Sequence, residues 1–329
     1  MPKQKKQNEN LVKIVDLLSS NPHISGNEIA RCLDISRSAV WKAIKKLQLY
    51  NVPVISYRDG YVLNNDCKLL NYDKILKHLG NIPGVNLEIF ETLESTNQYY
   101  LDANVDCTKT HICLSEFQFC GKGRLGRKWV SPFGQNICLS ICTFMNTNLS
   151  KLGGLSLTTS LAIAKSLREI TLNDDIKVKW PNDVIYKKQK LSGSLIQIIS
   201  EQNGTSKIII GVGVNVNADK QHNSYKDVTQ DWCSIKEMCN KPMDRNLLAA
   251  KLIMNILDYL NIFEKHGFEF FISEWEKKDC FFNQEVSLHN NKQIITGIEA
   301  GVDKNGQLLI SVDGVIKAFS YGETSFSKA

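Results

Sequence analysis

Apolar side chains in the first sixty residues recur at the three- and four-residue spacing of amphipathic helices. A first helix is predicted by Leu11, Ile14, Val15 and Leu18. A second is expected after Ser25, an N-cap with Glu28 at the capping-box position, and a third from Ser36 through Leu47. Two short helices joined by a tight turn and followed by a hairpin over residues 52–63 are typical of a winged helix-turn-helix.

From residue 66 to about 277 the pattern alternates between helical and strand periods. Helices are predicted over Leu155–Ile170 and Leu247–Phe263. Strands are predicted over Ile137–Phe144, Ile176–Trp180, Leu191–Ile199 and Ile208–Val216. These elements indicate an α/β domain with a mixed sheet, separated from the N-terminal domain by a linker at Asn64-Asn65-Asp66.

The last fifty residues have short apolar runs divided by frequent turn signals. The runs are Gln284–Leu288, Gln293–Thr296, Gln307–Val312 and Val315–Phe319, and Asp313-Gly314 is a strong two-residue hairpin signal. The pattern predicts a small SH3-like β-barrel over 278–329. The expected fold class is therefore a multidomain α+β or α/β protein with domains at 1–65, 66–277 and 278–329.

Composition adds limits on the class of protein. The chain has 329 residues, 43% of them hydrophobic and 22% charged, which excludes a wholly disordered protein. We expect a cytoplasmic protein without a membrane span, because the apolar runs are short and the first residues lack a signal-peptide pattern. The ten cysteines are scattered and the six histidines do not cluster with them, so no metal site is predicted.

Positive charge is concentrated at the N-terminus. Residues 1–65 contain ten Lys or Arg and five Asp or Glu, and the net charge of the whole chain is +6. Such an excess favours contact with a nucleic-acid backbone. We expect Arg37, Ser38 and Trp41 to reach base edges, and Lys42, Lys45 and Arg58 to contact phosphates. A solvated basic helical domain or a protein–protein module is the alternative.

A glycine-rich basic loop is the densest motif in the chain. Residues 121–129 read Gly-Lys-Gly-Arg-Leu-Gly-Arg-Lys-Trp, which satisfies G-x-G-x-x-G. A dinucleotide-binding fold needs a helix after this motif, whereas here Ser131-Pro132-Phe133-Gly134 and a strand follow. Three glycines and four cations predict a loop that binds a phosphate or a carboxylate, and a solvated basic turn is the alternative.

Three other segments join this loop as candidates. Ser95-Thr96-Asn97 precedes a helix, Lys179-Trp180-Pro181-Asn182-Asp183 ends a strand, and Lys190-Leu191-Ser192-Gly193 begins the next. Each has a purely structural interpretation: a cap with Gln98 closing a capping box, a proline turn, and a glycine bulge.

Taken together, these segments resemble the biotin–protein ligases, in the bifunctional class that also represses biotin synthesis. The segments, with Gln118 and Gly211-Val212-Gly213-Val214-Asn215, occur in that family's order, and the resemblance covers nearly the whole chain. It implies a central domain like the class II synthetases. Lys122 stands where the family commonly has arginine, and Gln197 where it often has an acidic residue.

The resemblance implies an enzyme that uses ATP and Mg²⁺ to make biotinyl-5′-AMP and then passes biotin to a lysine of a biotin carboxyl carrier protein. Lys190, Arg124 and Asp183 would be catalytic. Biotin and the adenylate would be bound by Ser95, Thr96, Asn97, Gln118, Gly121, Lys122, Gly123, Arg124, Trp129, Lys190, Gly193 and Asn215. The adenylate would also act as corepressor, favouring a homodimer on operator DNA. A non-catalytic biotin-sensing repressor and a lipoate-type ligase are the alternatives.

Overall fold

The computed structural model describes residues 5–6, 9–63, 67–80, 82–146, 152–200, 205–221, 223–290 and 293–326. The predicted linker at 64–66 lies outside these residues. Helices and strands are numbered below in chain order, beginning with the short strand β1 (Lys5–Lys6), which pairs with the central sheet.

The N-terminal domain is a winged helix, as predicted. Its helices are α1 (Glu9–Ser20), α2 (Gly26–Leu33) and α3 (Arg37–Leu49), and its wing is formed by β2 (Val54–Ser56) and β3 (Tyr61–Leu63). The capping box is confirmed: the Ser25 hydroxyl accepts the N–H of Glu28, and the Glu28 carboxylate accepts the N–H of Ser25. Ser36 caps α3 by accepting the N–H of Ala39.

An eight-stranded mixed sheet forms the central domain. Its order is β1-β4-β5-β6-β10-β9-β8-β7, and among the strands that the structure describes only β4 and β5 pair in parallel. The strands other than β1 are β4 (Val85–Thr92), β5 (Thr110–Ser115), β6 (Ile137–Met145), β7 (Ile176–Lys179), β8 (Asp183–Tyr186), β9 (Gln189–Ser200) and β10 (Ser206–Val214). The four predicted strands correspond to β6, β7, β9 and β10, whereas β4, β5 and β8 were not predicted.

Helices cover the sheet and complete its core. They are α4 (Tyr72–Leu79), α5 (Thr96–Asp102), α6 (Leu155–Thr171), α7 (Ile235–Cys239), α8 (Arg245–His266) and α9 (Ile272–Lys278). Both helices predicted for this domain, α6 and α8, are present. By length and composition α8 is long and apolar enough to cross a membrane, whereas the sequence pattern predicts no membrane span. Its most apolar stretch is 61% buried within the protein, as in a core helix.

The C-terminal domain is a five-stranded antiparallel sheet of order β14-β13-β12-β11-β15. The strands are β11 (Glu285–Asn290), β12 (Gln293–Val302), β13 (Leu308–Val312), β14 (Val315–Phe319) and β15 (Glu323–Phe326). The predicted hairpin is confirmed at Asp313-Gly314, where both residues have positive φ and join paired strands. Val286, Leu288 and Ile310 point inward and are fully buried.

The winged helix packs directly on the central domain. Lys46 and Tyr50, near the end of α3, both donate hydrogen bonds to the carboxylate of Glu91 on β4, which is 1% exposed. The Tyr50 ring also stacks on Phe133, with ring centroids 4.3 Å apart. Since Phe133 lies four residues after Trp129, the winged-helix domain touches the segment that carries the glycine loop.

Candidate active site

A cavity of about 540 Å³ lies at the start of β9 and the end of β10. It gathers the predicted segments from distant parts of the chain. Its wall includes every predicted catalytic and substrate-binding residue except Gly121: Ser95, Thr96, Asn97, Gln118, Lys122, Gly123, Arg124, Trp129, Asp183, Lys190, Gly193 and Asn215. Gly121 contacts the cavity wall indirectly: its carbonyl accepts the N–H of Trp129, a lining residue, at 2.8 Å.

One end of the cavity is a network of neutral polar groups. The Gln118 side-chain oxygen accepts the N–H of Thr96 at 2.7 Å, and Ser140 lies 2.6 Å from the Asn97 oxygen. The Asn97 amide donates to Gln197 at 2.8 Å and to the Leu195 carbonyl. Both amide hydrogens of Asn97 are engaged within the protein and its oxygen accepts from the Ser140 hydroxyl, so the second lone pair of that oxygen is the acceptor that a ligand N–H, such as that of a ureido ring, could use.

Ser95 caps α5 by accepting the N–H of Gln98 at 3.5 Å. The capping box of the purely structural interpretation is incomplete, because the Gln98 side chain donates to Asp102. Ser95 therefore fixes the start of the helix that carries Thr96 and Asn97 into the cavity.

The glycine loop is a small hairpin closed by a bridge between Lys122 and Lys128. At its tip Leu125 and Gly126 have φ values of 54° and 74°, which turn the chain sharply. The Arg124 side chain bends back into the cavity and donates to Asn182 at 3.3 Å and to the Gly322 carbonyl at 3.4 Å. The turn thus places the guanidinium of Arg124 in the lining of the cavity.

Burial lowers the pKa of the Arg124 guanidinium, with Asp183 opposing that shift and Arg127 adding to it. A guanidinium nevertheless stays charged at any physiological pH. Arg124 therefore remains a fixed positive charge for a phosphate or carboxylate.

Lys190 is held on three sides. Its Nζ lies 2.6 Å from Oδ1 of Asp183 and 5.9 Å from the centre of the Trp129 ring. The side-chain amide of Asn215 donates to the Lys190 carbonyl at 3.4 Å, which ties the start of β9 to the end of β10. The arrangement presents one oriented ammonium group in the same cavity wall as the Arg124 guanidinium.

Three glycines on β9 and β10 leave room for these side chains. A Cβ at Gly211 would lie 2.3 Å from the Asn97 oxygen, and one at Gly213 would lie 2.3 Å from the Trp129 indole. At Gly193 a Cβ would approach Lys190 Cε to 3.0 Å. The glycines of the two paired strands therefore leave the space that the side chains of Asn97, Trp129 and Lys190 occupy. This role is separate from the glycine bulge considered from the sequence.

Several cavity residues were missed by sequence reasoning. Tyr225, Val228 and Trp232 form an apolar cluster with Val130 at the mouth, and their signal is aromatic residues in an otherwise polar stretch. Glu323 comes from the C-terminal domain and forms an ion pair with Arg127 of the glycine loop. No local pattern marks Glu323, because its role depends on how two domains pack.

Among the described residues, no group of three His, Cys, Asp or Glu side chains is placed to hold a metal ion. The charged side chains in the cavity lining include the cations of Lys122, Arg124, Arg127, Lys128, Lys179 and Lys190.

The residues predicted to meet DNA lie on one exposed surface. Arg37, Ser38, Trp41, Lys42 and Lys45 project from α3 into solvent, and Arg58 lies exposed at the turn of the wing. Trp41 is 53% exposed and lies among the basic side chains of this helix. The surface has the composition of a nucleic-acid interface, and the individual contacts remain predictions.

Comparison with protein families divides the chain in the same way as the fold. Residues 10–62 match a helix-turn-helix domain, residues 89–215 match the biotin/lipoate A/B protein ligase family, and residues 281–327 match the biotin protein ligase C-terminal domain. A biotin protein ligase from Aquifex aeolicus, solved in complex with biotin and ATP, is 29% identical, with a TM-score of 0.62. The match covers 74% of this chain and 99% of that one.

Full-length relatives extend the similarity to the DNA-binding domain. The bifunctional ligase/repressor BirA of Escherichia coli is 36% identical over 98% of this chain and 99% of its own length. The Bacillus subtilis protein of the same name is 27% identical, covering 93% of this chain and 96% of its own. With this identity over nearly its entire length, the chain belongs to the family of bifunctional biotin ligase/repressors.

Proposed function

We propose that the protein joins biotin to ATP as biotinyl-5′-AMP and then transfers biotin to a specific lysine of a biotin carboxyl carrier protein. The observation that carries the proposal is the convergence of Lys190, Asp183 and Arg124 beside the neutral Asn97 network in one cavity. The network suits the ureido ring, and the cations suit the carboxylate and the phosphates. One site thus has separate places for the two reactants.

In the first step a biotin carboxylate oxygen attacks the α-phosphorus of ATP, and the bond to the pyrophosphate leaving group breaks. Negative charge builds on the oxygens of that phosphate, where Lys190 and Arg124 stabilise it. Their fixed positions also hold the two anions together against their mutual repulsion. The products are the mixed anhydride and pyrophosphate.

In the second step the neutral amine of the acceptor lysine attacks the acyl carbon, the carbon–oxygen bond to AMP breaks, and one proton is released. Lys190 stabilises the developing charge on the departing phosphate. Asp183 orients Lys190 through their ion pair. Mg²⁺, when bound with ATP, would neutralise part of the negative charge of the phosphates.

We further propose repression of biotin-synthesis genes, with biotinyl-5′-AMP as corepressor. Two winged helices in a homodimer would match two inverted half-sites, and the adenylate needs only to bind the dimer-competent state more tightly. A gel shift on the region upstream of biotin-synthesis genes tests this. A shift that depends on biotin and ATP supports repression, and its absence even at low salt rejects it.

Pyrophosphate exchange with the same purified protein distinguishes this function from two alternatives. A sensor without catalytic activity would bind biotin and DNA but would not exchange pyrophosphate into ATP. A lipoate-type ligase would exchange pyrophosphate with lipoate and not with biotin. The presence of Lys190 and Arg124 in one cavity favours the catalytic protein, because a sensor needs no oriented pair of cations at the reacting phosphate.

A further inference from the structure

One face of the C-terminal sheet points away from its core and reaches the active-site cavity. Cross-strand pairs define this face, which we call the outward face: His289 lies opposite Ile294, Glu285 opposite Ile298, and Ser311 opposite both Ile298 and Ile316. On β15, Glu323 and Ser325 pair with His289 and Ser287 and belong to the same face. Residues of alternate parity, such as Leu288 and Ile310, fill the domain core.

The outward face begins at the rim of the cavity. His289, Glu323 and Ser325 all line the cavity, and Glu323 is fixed there by its ion pair with Arg127 of the glycine loop. His289 and Ser325 are joined by a hydrogen bond of 3.0 Å. A protein that approaches the cavity from this side would therefore contact both the C-terminal sheet and the glycine loop.

Beyond the rim the outward face carries three exposed isoleucines. Ile294, Ile298 and Ile316 are 66%, 45% and 62% exposed. A single exposed isoleucine is ordinary, but three on one face of a sheet beside an active-site cavity form the kind of patch that marks a binding surface. The register also places Thr296, Ser311 and Ala318 among the isoleucines, and Glu285, opposite Ile298, is the charged side chain at the edge of this group.

We propose that the outward face is the docking surface for the folded body of the acceptor protein, and this inference rests on the proposed function. The acceptor lysine must place its amine at the acyl carbon near Lys190, whereas its protein body is too large for a cavity of about 540 Å³. The body must therefore lie on the rim. The outward face continues from that rim and supplies the exposed apolar area that a protein partner covers.

The test compares acceptor transfer with adenylation in the full-length protein. The triple variant I294T/I298T/I316T keeps β-branched side chains and so preserves strand propensity, while it removes the apolar patch. The matched control is V315T, because Val315 is 59% exposed on the same sheet but has the opposite parity to Ile316. A purified biotin carboxyl carrier domain is the acceptor.

We expect the triple variant to raise the KM for the carrier domain about tenfold, a factor typical of lost contacts in a binding patch. Its biotin-dependent pyrophosphate exchange and its transfer of biotin to hydroxylamine should stay within about twofold of wild type, and V315T should match wild type.

An unchanged KM for the carrier domain with normal exchange would overturn the docking surface. Weaker dimerisation with an unchanged KM would also overturn it, and would assign the face to a second copy of the chain. Wild-type protein that exchanges pyrophosphate but does not label the carrier would reject the acceptor and the docking surface together. A wild type without exchange would instead reject the proposed function.

Discussion

Lys190 and Asp183 form an ion pair in the wall of the cavity, with Nζ and Oδ1 2.6 Å apart. The two residues come from neighbouring strands, at the start of β9 and the start of β8, so their distance is set by the register of the sheet. The pair orients the ammonium before any ligand arrives. Catalysis by Lys190 is therefore expected to depend on its partner as well as on its own charge.

Replacement of Lys190 by Ala should lower the rate of biotinyl-5′-AMP formation about 10²- to 10³-fold, the range for loss of one oriented charge-stabilising group. Single-turnover formation of the adenylate from radiolabelled ATP measures this rate. K190R is the control for charge without the same geometry, and it should retain part of the activity. A Lys190→Ala rate equal to wild type would remove Lys190 from the mechanism.

Asp183→Asn keeps the size of the side chain and removes its charge. We expect a fall in kcat of about 10- to 100-fold, because Lys190 loses the partner that orients it, while the KM for biotin changes little. The KM and kcat of the adenylation step distinguish this outcome from a structural defect. A large rise in the KM for biotin with unchanged kcat would contradict a positioning role.

Gly211→Ala and Gly213→Ala should damage different parts of the site. The new methyl group of Gly211→Ala would collide with Asn97, which should raise the KM for biotin, whereas that of Gly213→Ala would collide with the Trp129 indole. We expect the latter to raise mainly the KM for ATP. Gly123→Ala, in the glycine loop, creates no such collision, because its nearest neighbour would be at an ordinary 3.5 Å, so any kinetic effect of that variant would not come from a displaced side chain. Equal kinetic effects of all three variants would show that space for Asn97 and Trp129 is not the reason for glycine at positions 211 and 213.

The buried carboxyl pair Asp279 and Glu299 predicts a pH dependence of folding stability. Burial raises the pKa of both groups, and Asp279 adds to the shift that raises the pKa of Glu299 to about 10. Since this folded pKa exceeds that of an unfolded glutamate, the folded state holds a proton that the unfolded state releases. The free energy of unfolding should therefore fall with rising pH between about 4.5 and 10, by up to about 1.4 kcal/mol per pH unit from this group.

Glu299→Gln removes that titration and keeps an N–H donor for Asp279. Urea unfolding at pH 6 and pH 8 should therefore show a smaller loss of stability with pH in the variant than in wild type. Parallel losses in the two proteins would mean that Glu299 is ionised in the folded state.

The contact of Lys46 and Tyr50 with Glu91 should stabilise the packing of the DNA-binding domain on the central domain. Glu91→Ala leaves both donors without their acceptor and is expected to cost about 2–3 kcal/mol of unfolding free energy, the scale for hydrogen bonds to a charged group. Tyr50→Phe keeps the ring that stacks on Phe133 and should cost about 1 kcal/mol. Equal urea unfolding curves for wild type and Glu91→Ala would show that this contact does not stabilise the protein.

Local signals made most elements of the winged helix predictable. The capping box at Ser25 and Glu28, the cap at Ser36 and the apolar spacing of α1 depend on residues within one or two turns of each other. The glycine loop and the Lys190 segment were identified by their motifs. Their common location in one cavity followed from resemblance rather than from any local rule.

Contacts between distant residues could not be predicted. Arg124 and the Gly322 carbonyl are separated by 198 residues, and Lys46 and Glu91 by 45. Such pairs depend on the packing of whole domains, which no periodicity encodes. The functions of Gly211 and Gly213 were hidden for the same reason, because the side chains they accommodate, Asn97 and Trp129, come from other elements.

Biotin-dependent exchange of labelled pyrophosphate into ATP tests the central claim most directly. The wild-type protein should catalyse exchange with biotin and not with lipoate, and Lys190→Ala should lose it while still binding biotin. Wild-type protein that binds biotin without any exchange would contradict the assignment as a ligase. Exchange that requires lipoate instead would contradict the assignment of biotin as its substrate.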